Sequence, residues 1–151
     1  MAGKGKYYES QFEEATIELL RESHWQYTFG DDIHRKYTDP LIEEDLRTFL
    51  AAQYKDKRLT ASEMDGIVAN LRNTGGQNDY YALQNTFLLY RDGYDFTYSD
   101  GRGNPFRLQY IDFEHPDHNI FRCVNQFVME QGRENRRPDI LLFVNGIPVC
   151  I

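Results

Sequence analysis

The chain has 151 residues, of which 40% are hydrophobic, 15% aromatic and 27% charged, a makeup that excludes the disordered, collagen-like and membrane-spanning classes and suits a single domain over 1–151. A net charge of −7 argues against a generic basic coat for nucleic acid, because phosphate binding needs clustered Lys and Arg. The charge is unevenly spread: residues 1–119 hold 13 basic and 21 acidic side chains, whereas 120–151 hold 4 and 3, so any phosphate contact should centre on Arg133, Arg136 and Arg137.

In chain order, Ser10-Gln11-Phe12-Glu13 reads as a capping box opening a helix over residues 11–23, with Phe12, Ala15, Thr16, Leu19 and Leu20 at helical spacing. Trp25, Tyr27 and Phe29 alternate as a short strand up to Gly30. Asp39-Pro40 predicts a helix that begins at the Pro, buries Leu41, Ile42, Leu46, Phe49 and Leu50, and ends near Tyr54. Thr60-Ala61-Ser62-Glu63 is a second capping box. Its helix carries Met64, Ile67, Val68 and Leu71 and stops at Gly75-Gly76.

A further helix over 79–91 places Tyr80, Leu83, Phe87 and Tyr90 on one stripe. The period then changes from helical to alternating. Tyr94, Phe96 and Tyr98, the turn DGRG, and Phe106, Leu108 and Tyr110 predict a hairpin. One strand is expected over 120–129. Two apolar strands follow, 139–144 and 147–151, joined by Asn145-Gly146, a strong hairpin signal. Helices first and sheet afterwards make an α/β chain with N-terminal helices packed on a mixed sheet.

The start MAGKGKYYESQF lacks the apolar segment of an export signal, and the longest apolar run, 140–144, is too short to cross a bilayer. Cys123 and Cys150 form no CxxC motif and pair with no His at zinc-ligand spacing. Two free thiols in a reducing cytoplasm are expected, and no membrane partner. The loop HPDHN brings His115 and His118 to either side of Asp117, and is read as a Pro-containing polar loop rather than a metal site.

Asp139 opens an apolar strand directly after Arg-Arg-Pro, where a carboxylate is a poor strand residue. Alone it supports two readings, a turn-satisfied Asp or one of the carboxylates that metal-dependent phosphodiester cleavage needs on a rigid scaffold. The blocks FEEATIELL with YTFGDDI, GQNDYYALQNTF, LQYIDFEHPDHNIFRCVNQF and RRPDILLFVNGIPVCI resemble the amino-terminal nuclease domain of type I restriction endonuclease R (motor) subunits, members of the PD-(D/E)XK superfamily. The resemblance extends over nearly the whole chain.

That resemblance implies a PD-(D/E)XK restriction-endonuclease-like core in which Asp139 binds Mg²⁺. A Glu-x-Lys on the next strand would supply a second carboxylate, two positions beyond Ile151, and a lysine two further on. The chain is therefore expected to be truncated within the catalytic hairpin and inactive alone. An ATP-driven motor would lie downstream; no GxxxxGK[ST] occurs here, and GKGK at 3–6 is no substitute.

The resemblance further implies a site-specific deoxyribonuclease acting on double-stranded DNA with methyltransferase and specificity subunits, in the cytoplasm. It places a helix-borne acid at Glu13, with Glu18 as second choice, although Glu13 is equally the capping-box Glu whose ordinary partner is the Ser10 N–H. Arg136 and Arg137 either contact phosphate or solvate a loop. The competing reading is a nuclease-derived module kept for binding or assembly.

For Asp139 to share a face with an acid two positions past Ile151, the simplest geometry is a three-residue loop with Gly146 as a G1 bulge. A two-residue turn in unbroken register would put the two on opposite faces.

Overall fold

A computed structural model describes residues 9–74 and 79–151. Among them lie helices α1 (Glu9–Glu22), α2 (Glu43–Gln53), α3 (Ala61–Arg72) and α4 (Asp79–Asp92). The strands are β1 (Gln26–Phe29), β2 (Tyr94–Phe96), β3 (Phe106–Leu108), β4 (Phe121–Asn125), β5 (Met129–Gln131), β6 (Glu134–Arg136), β7 (Ile140–Val144) and β8 (Ile147–Cys150). The chain is α/β and divides into two units, Met1–Ile42 with Ile120–Ile151, and Glu43–Asn119.

The first unit is built on a mixed sheet of order β1-β4-β7-β8, in which β1 runs parallel to β4 and the other pairs are antiparallel. β4 and β7 are its apolar centre. Val124, Phe127, Leu141 and Phe143 pack with Ile42 in one buried cluster, and Ile33 and Met129 border it. Each such side chain removed from water contributes roughly 1.5–3 kcal/mol, enough to make the middle of the sheet rigid.

The predicted strand over 120–129 is split. β4 ends at Asn125, Gln126 takes a left-handed φ of 55°, and the chain re-enters extended structure as β5, which pairs with β6 in a separate hairpin. The helix expected to open at Pro40 starts instead at Glu43. Asp39 Oδ1 accepts the Leu41 N–H at 3.1 Å, closing a tight turn, and Ile42 donates its N–H to the Gly146 carbonyl at 2.9 Å.

In the second unit the Thr60 capping box forms as its spacing predicts: Thr60 Oγ1 accepts the Glu63 N–H and Glu63 accepts the Thr60 N–H. The expected stop at Gly75-Gly76 lies outside the described residues. β2 and β3 pair as the expected hairpin, and Phe96, Tyr98, Leu108 and Tyr110 are buried. The α4 stripe stays largely outside: Tyr80, Leu83 and Phe87 are 71%, 75% and 60% exposed, and Tyr90 alone of the four is half-buried. No described helix is long and apolar enough to cross a membrane.

Candidate active site

Glu9, Phe12, Glu13 and Thr16 recur at three- and four-residue spacing, which puts them on one face of α1. With Asp139, Ile140 and Ile151 they line a cavity of about 320 Å³. Asp139 is exposed at the bend just before β7, and its backbone carbonyl accepts the Gln126 N–H at 3.2 Å. That bond ties the start of β7 to the end of β4. Glu13 and Asp139, remote from each other in sequence, thus line the same hollow together with Glu9.

Glu13 does not serve as a capping-box residue. Ser10 lies inside α1, and the Glu13 carboxylate is engaged across the unit. Asn125 Nδ2 donates to Glu13 Oε1 at 2.8 Å, and Gln126 Nε2 makes longer approaches of 3.4 Å to each oxygen. The other end of the Asn125 amide, Oδ1, accepts the Tyr27 hydroxyl at 2.8 Å. A phenol donor on one side and a carboxylate acceptor on the other leave Asn125 one amide orientation. Burial raises the pKa of the Tyr27 hydroxyl, so it stays protonated and keeps donating.

The segment that carries these amides is pinned from two sides. A Cβ on Gly30 would stand 2.4 Å from the Gln126 carbonyl oxygen and 2.8 Å from that of Asn125, so only glycine lets the end of β1 approach so closely. On the other side the Arg35 guanidinium lies over the Phe127 ring at 3.4 Å and donates to the Val128 carbonyl. The left-handed turn at Gln126 is thereby held between a glycine and a stacked arginine.

The Asn145-Gly146 hairpin differs from the expected loop. Val144 pairs with Ile147, so the loop has two residues, and both take positive φ, 52° and 76°, the pattern of a type I′ turn. Asn145 is fully buried: its N–H donates to the Ile120 carbonyl at 2.8 Å and its Oδ1 accepts the Ile120 N–H at 2.7 Å. The predicted G1 bulge at Gly146 is therefore absent. The register is nonetheless broken, because Phe143 pairs with Pro148 whereas Leu142 pairs with Cys150. Val149 is the extra residue, and the bulge sits in β8 rather than in the turn.

The remaining sequence candidates lie elsewhere. Glu18 lines a neighbouring cavity with Arg21, Tyr27 and Asn125, which Glu13 borders but Asp139 does not. Arg136 approaches Glu134 at 3.5 Å with both side chains about three-quarters exposed, and Arg137 is exposed just beyond β6. Cys123 is buried, Cys150 is exposed, and both are free thiols. Sequence reasoning gave Tyr27 only as a strand residue and Asn125-Gln126 only as part of a family block packing beside the central hairpin, and assigned neither a place at Glu13. Their one local signal was a polar Asn-Gln pair interrupting an otherwise apolar run.

The family model described as "Type I restriction enzyme R protein N terminus" matches residues 6–151. The chain is 28% identical, over 95% of its length, to the Type I restriction enzyme HindI endonuclease subunit of Haemophilus influenzae. It is 47% identical, over 92% of its length, to the "Putative type I restriction enzyme MjaIXP endonuclease subunit" of Methanocaldococcus jannaschii. The chain spans 14% of the length of each relative.

Proposed function

This chain belongs to the type I restriction enzyme R protein N-terminal family, and from that membership we propose that it forms the carboxylate half of a PD-(D/E)XK endonuclease centre that hydrolyses phosphodiesters of double-stranded DNA with Mg²⁺. The observation that carries the reading is the cavity shared by Glu13 and Asp139. Its donor set fits the ion: carboxylate oxygens suit a hard divalent cation, and Mg²⁺ is ordinarily held by one or two of them with water completing its shell. When bound, the ion would polarise a phosphoryl oxygen and lower the pKa of a water. Asp139 and Glu13 would hold it, and Asn125, braced by Tyr27, keeps the Glu13 carboxylate aimed.

The β8 bulge supports the same reading. If the register of the Leu142–Cys150 pair is carried on, Asp139 would stand opposite the position two beyond Ile151, where the family pattern calls for the second acid. Directly opposed residues of an antiparallel pair point to the same face, so the acid and Asp139 would converge. Without the extra Val149 they would diverge. On this reading cleavage needs a second acid and a lysine in addition to Asp139 and Glu13.

In the longer subunit, double-stranded DNA is the substrate, methyltransferase and specificity subunits are the partners, and ATP serves the motor region. Arg136 and Arg137, exposed close to Asp139 in sequence, would meet phosphate. The test is Mg²⁺-dependent nicking by the longer subunit assembled with its partners. Asp139→Ala should abolish it, and equal activity of wild type and variant would overturn the assignment in favour of a non-catalytic module.

A further inference from the structure

The loop between β3 and β4 holds a cluster that the endonuclease reading does not use. Sequence proximity pairs its histidines with Asp117, but the fold brings them to Asp112. The Asp112 carboxylate is 6% exposed. Its Oδ1 accepts the backbone N–H groups of Glu114 at 3.0 Å and His115 at 2.9 Å, and its Oδ2 accepts the Gln53 amide at 2.9 Å. Asn119 closes the loop, accepting the Asp112 N–H at 2.9 Å and donating to the Asp112 and Pro116 carbonyls.

Against this fixed carboxylate the His115 and His118 rings stack, with centroids 4.8 Å apart and planes within 20°. Both turn Nδ1 toward the same oxygen, Asp112 Oδ2, at 3.6 and 3.0 Å. One of these is a hydrogen bond; the other is too long to be one. Two ligand atoms bound to one tetrahedral ion at about 2.0–2.1 Å stand roughly 3.3 Å apart, and the two observed separations bracket that value. One ligand atom from each of the three residues falls within 4.8 Å of the others. The histidine side chains are 61% and 50% exposed, so an ion can enter from solvent and retain water.

We propose that Asp112, His115 and His118 form a binding site for a borderline-soft divalent cation, of which Zn²⁺ is the representative. Imidazole nitrogen with carboxylate oxygen suits zinc, whereas Mg²⁺ demands an oxygen shell. The ion sits between Asp112 Oδ2 and the two ring nitrogens that already face it, in place of their direct contacts. Its effect is to staple the 112–119 loop.

The test is calorimetric titration of the 151-residue chain with ZnCl₂, with excess MgCl₂ present. One equivalent of zinc should bind. His115→Gln and His118→Gln should each weaken binding by on the order of ten-fold or more, while circular dichroism stays unchanged because both side chains lie at the surface. Asp139→Asn should bind zinc as the wild type does, which separates this site from the proposed endonuclease centre. Unchanged affinity in both histidine variants, or loss of binding in Asp139→Asn alone, would overturn the proposal.

Discussion

Asn125 joins Tyr27 to Glu13 through the two ends of one amide, accepting the phenol at 2.8 Å and donating to the carboxylate at 2.8 Å. A glutamate on the first helix is thereby oriented from the end of β4, so the aim of the Glu13 carboxylate depends on the sheet. Asn125→Ala should lower stability by about 1 kcal/mol through the lost hydrogen bonds. In the longer subunit it should also raise the Mg²⁺ concentration needed for half-maximal cleavage. Chemical denaturation and a Mg²⁺ titration check the two effects separately, and an unchanged Mg²⁺ response would speak against a positioning role.

Gly30→Ala is predicted to be more damaging than its size implies. The added methyl would meet two backbone carbonyls, at 2.4 and 2.8 Å, and neither can swing aside as a side chain can. Overpacking of this kind costs about 1–3 kcal/mol, and urea denaturation should reveal it. A loss below about 0.5 kcal/mol, the range of neutral surface changes, would mean that the end of β1 stands further from Gln126.

Asn145 has two roles at once, a positive φ and a buried side-chain acceptor for the Ile120 N–H. Asn145→Ala removes both and should cost roughly 2–4 kcal/mol. Asn145→Gly keeps the backbone conformation and should cost less. Equal losses in a denaturation series would show that the hydrogen bond alone matters.

Glu63 accepts the Thr60 N–H and is bound by the Arg102 guanidinium, whose hydrogen bonds are the main cause of a carboxyl pKa held at about 2. A folded-state pKa below the unfolded one gives stability that is fully present above the unfolded value, about 4.3. It is lost as pH falls toward the folded value. Arg102→Ala should therefore lower Tm at pH 7, with a deficit that shrinks steadily below about pH 4.3. A pH-independent deficit would assign the effect to packing on Tyr98 instead.

Local signals in the sequence were read correctly where both partners lie within a few residues. The Thr60 box spans one helical turn, and Asn145-Gly146 turns as its dipeptide demands. Signals with remote partners misled. Glu13 has the spacing of a capping-box residue, yet a half-buried amide at the end of β4 competes for its carboxylate and prevails. The break at Gln126 depends on how closely Gly30 approaches, which no window around residue 126 contains. The G1 bulge expected at Gly146 is absent because Asn145-Gly146 closes a two-residue turn, and the register shift lies in β8 at Val149, where no dipeptide signal marks it. Asp112 went unseen because the residue between the histidines was a more obvious partner.

Whether Glu13 and Asp139 act on one ion is decided by a double-mutant cycle on Mg²⁺-dependent cleavage. With the longer subunit and its partners, Glu13→Gln, Asp139→Asn and the double variant are compared with wild type at saturating DNA. Residues that work as a unit are non-additive, so each single variant should lose most of the activity and the double should be little worse than Asp139→Asn alone. A Glu13→Gln enzyme as active as wild type, or losses that multiply in the double variant, would contradict a shared site.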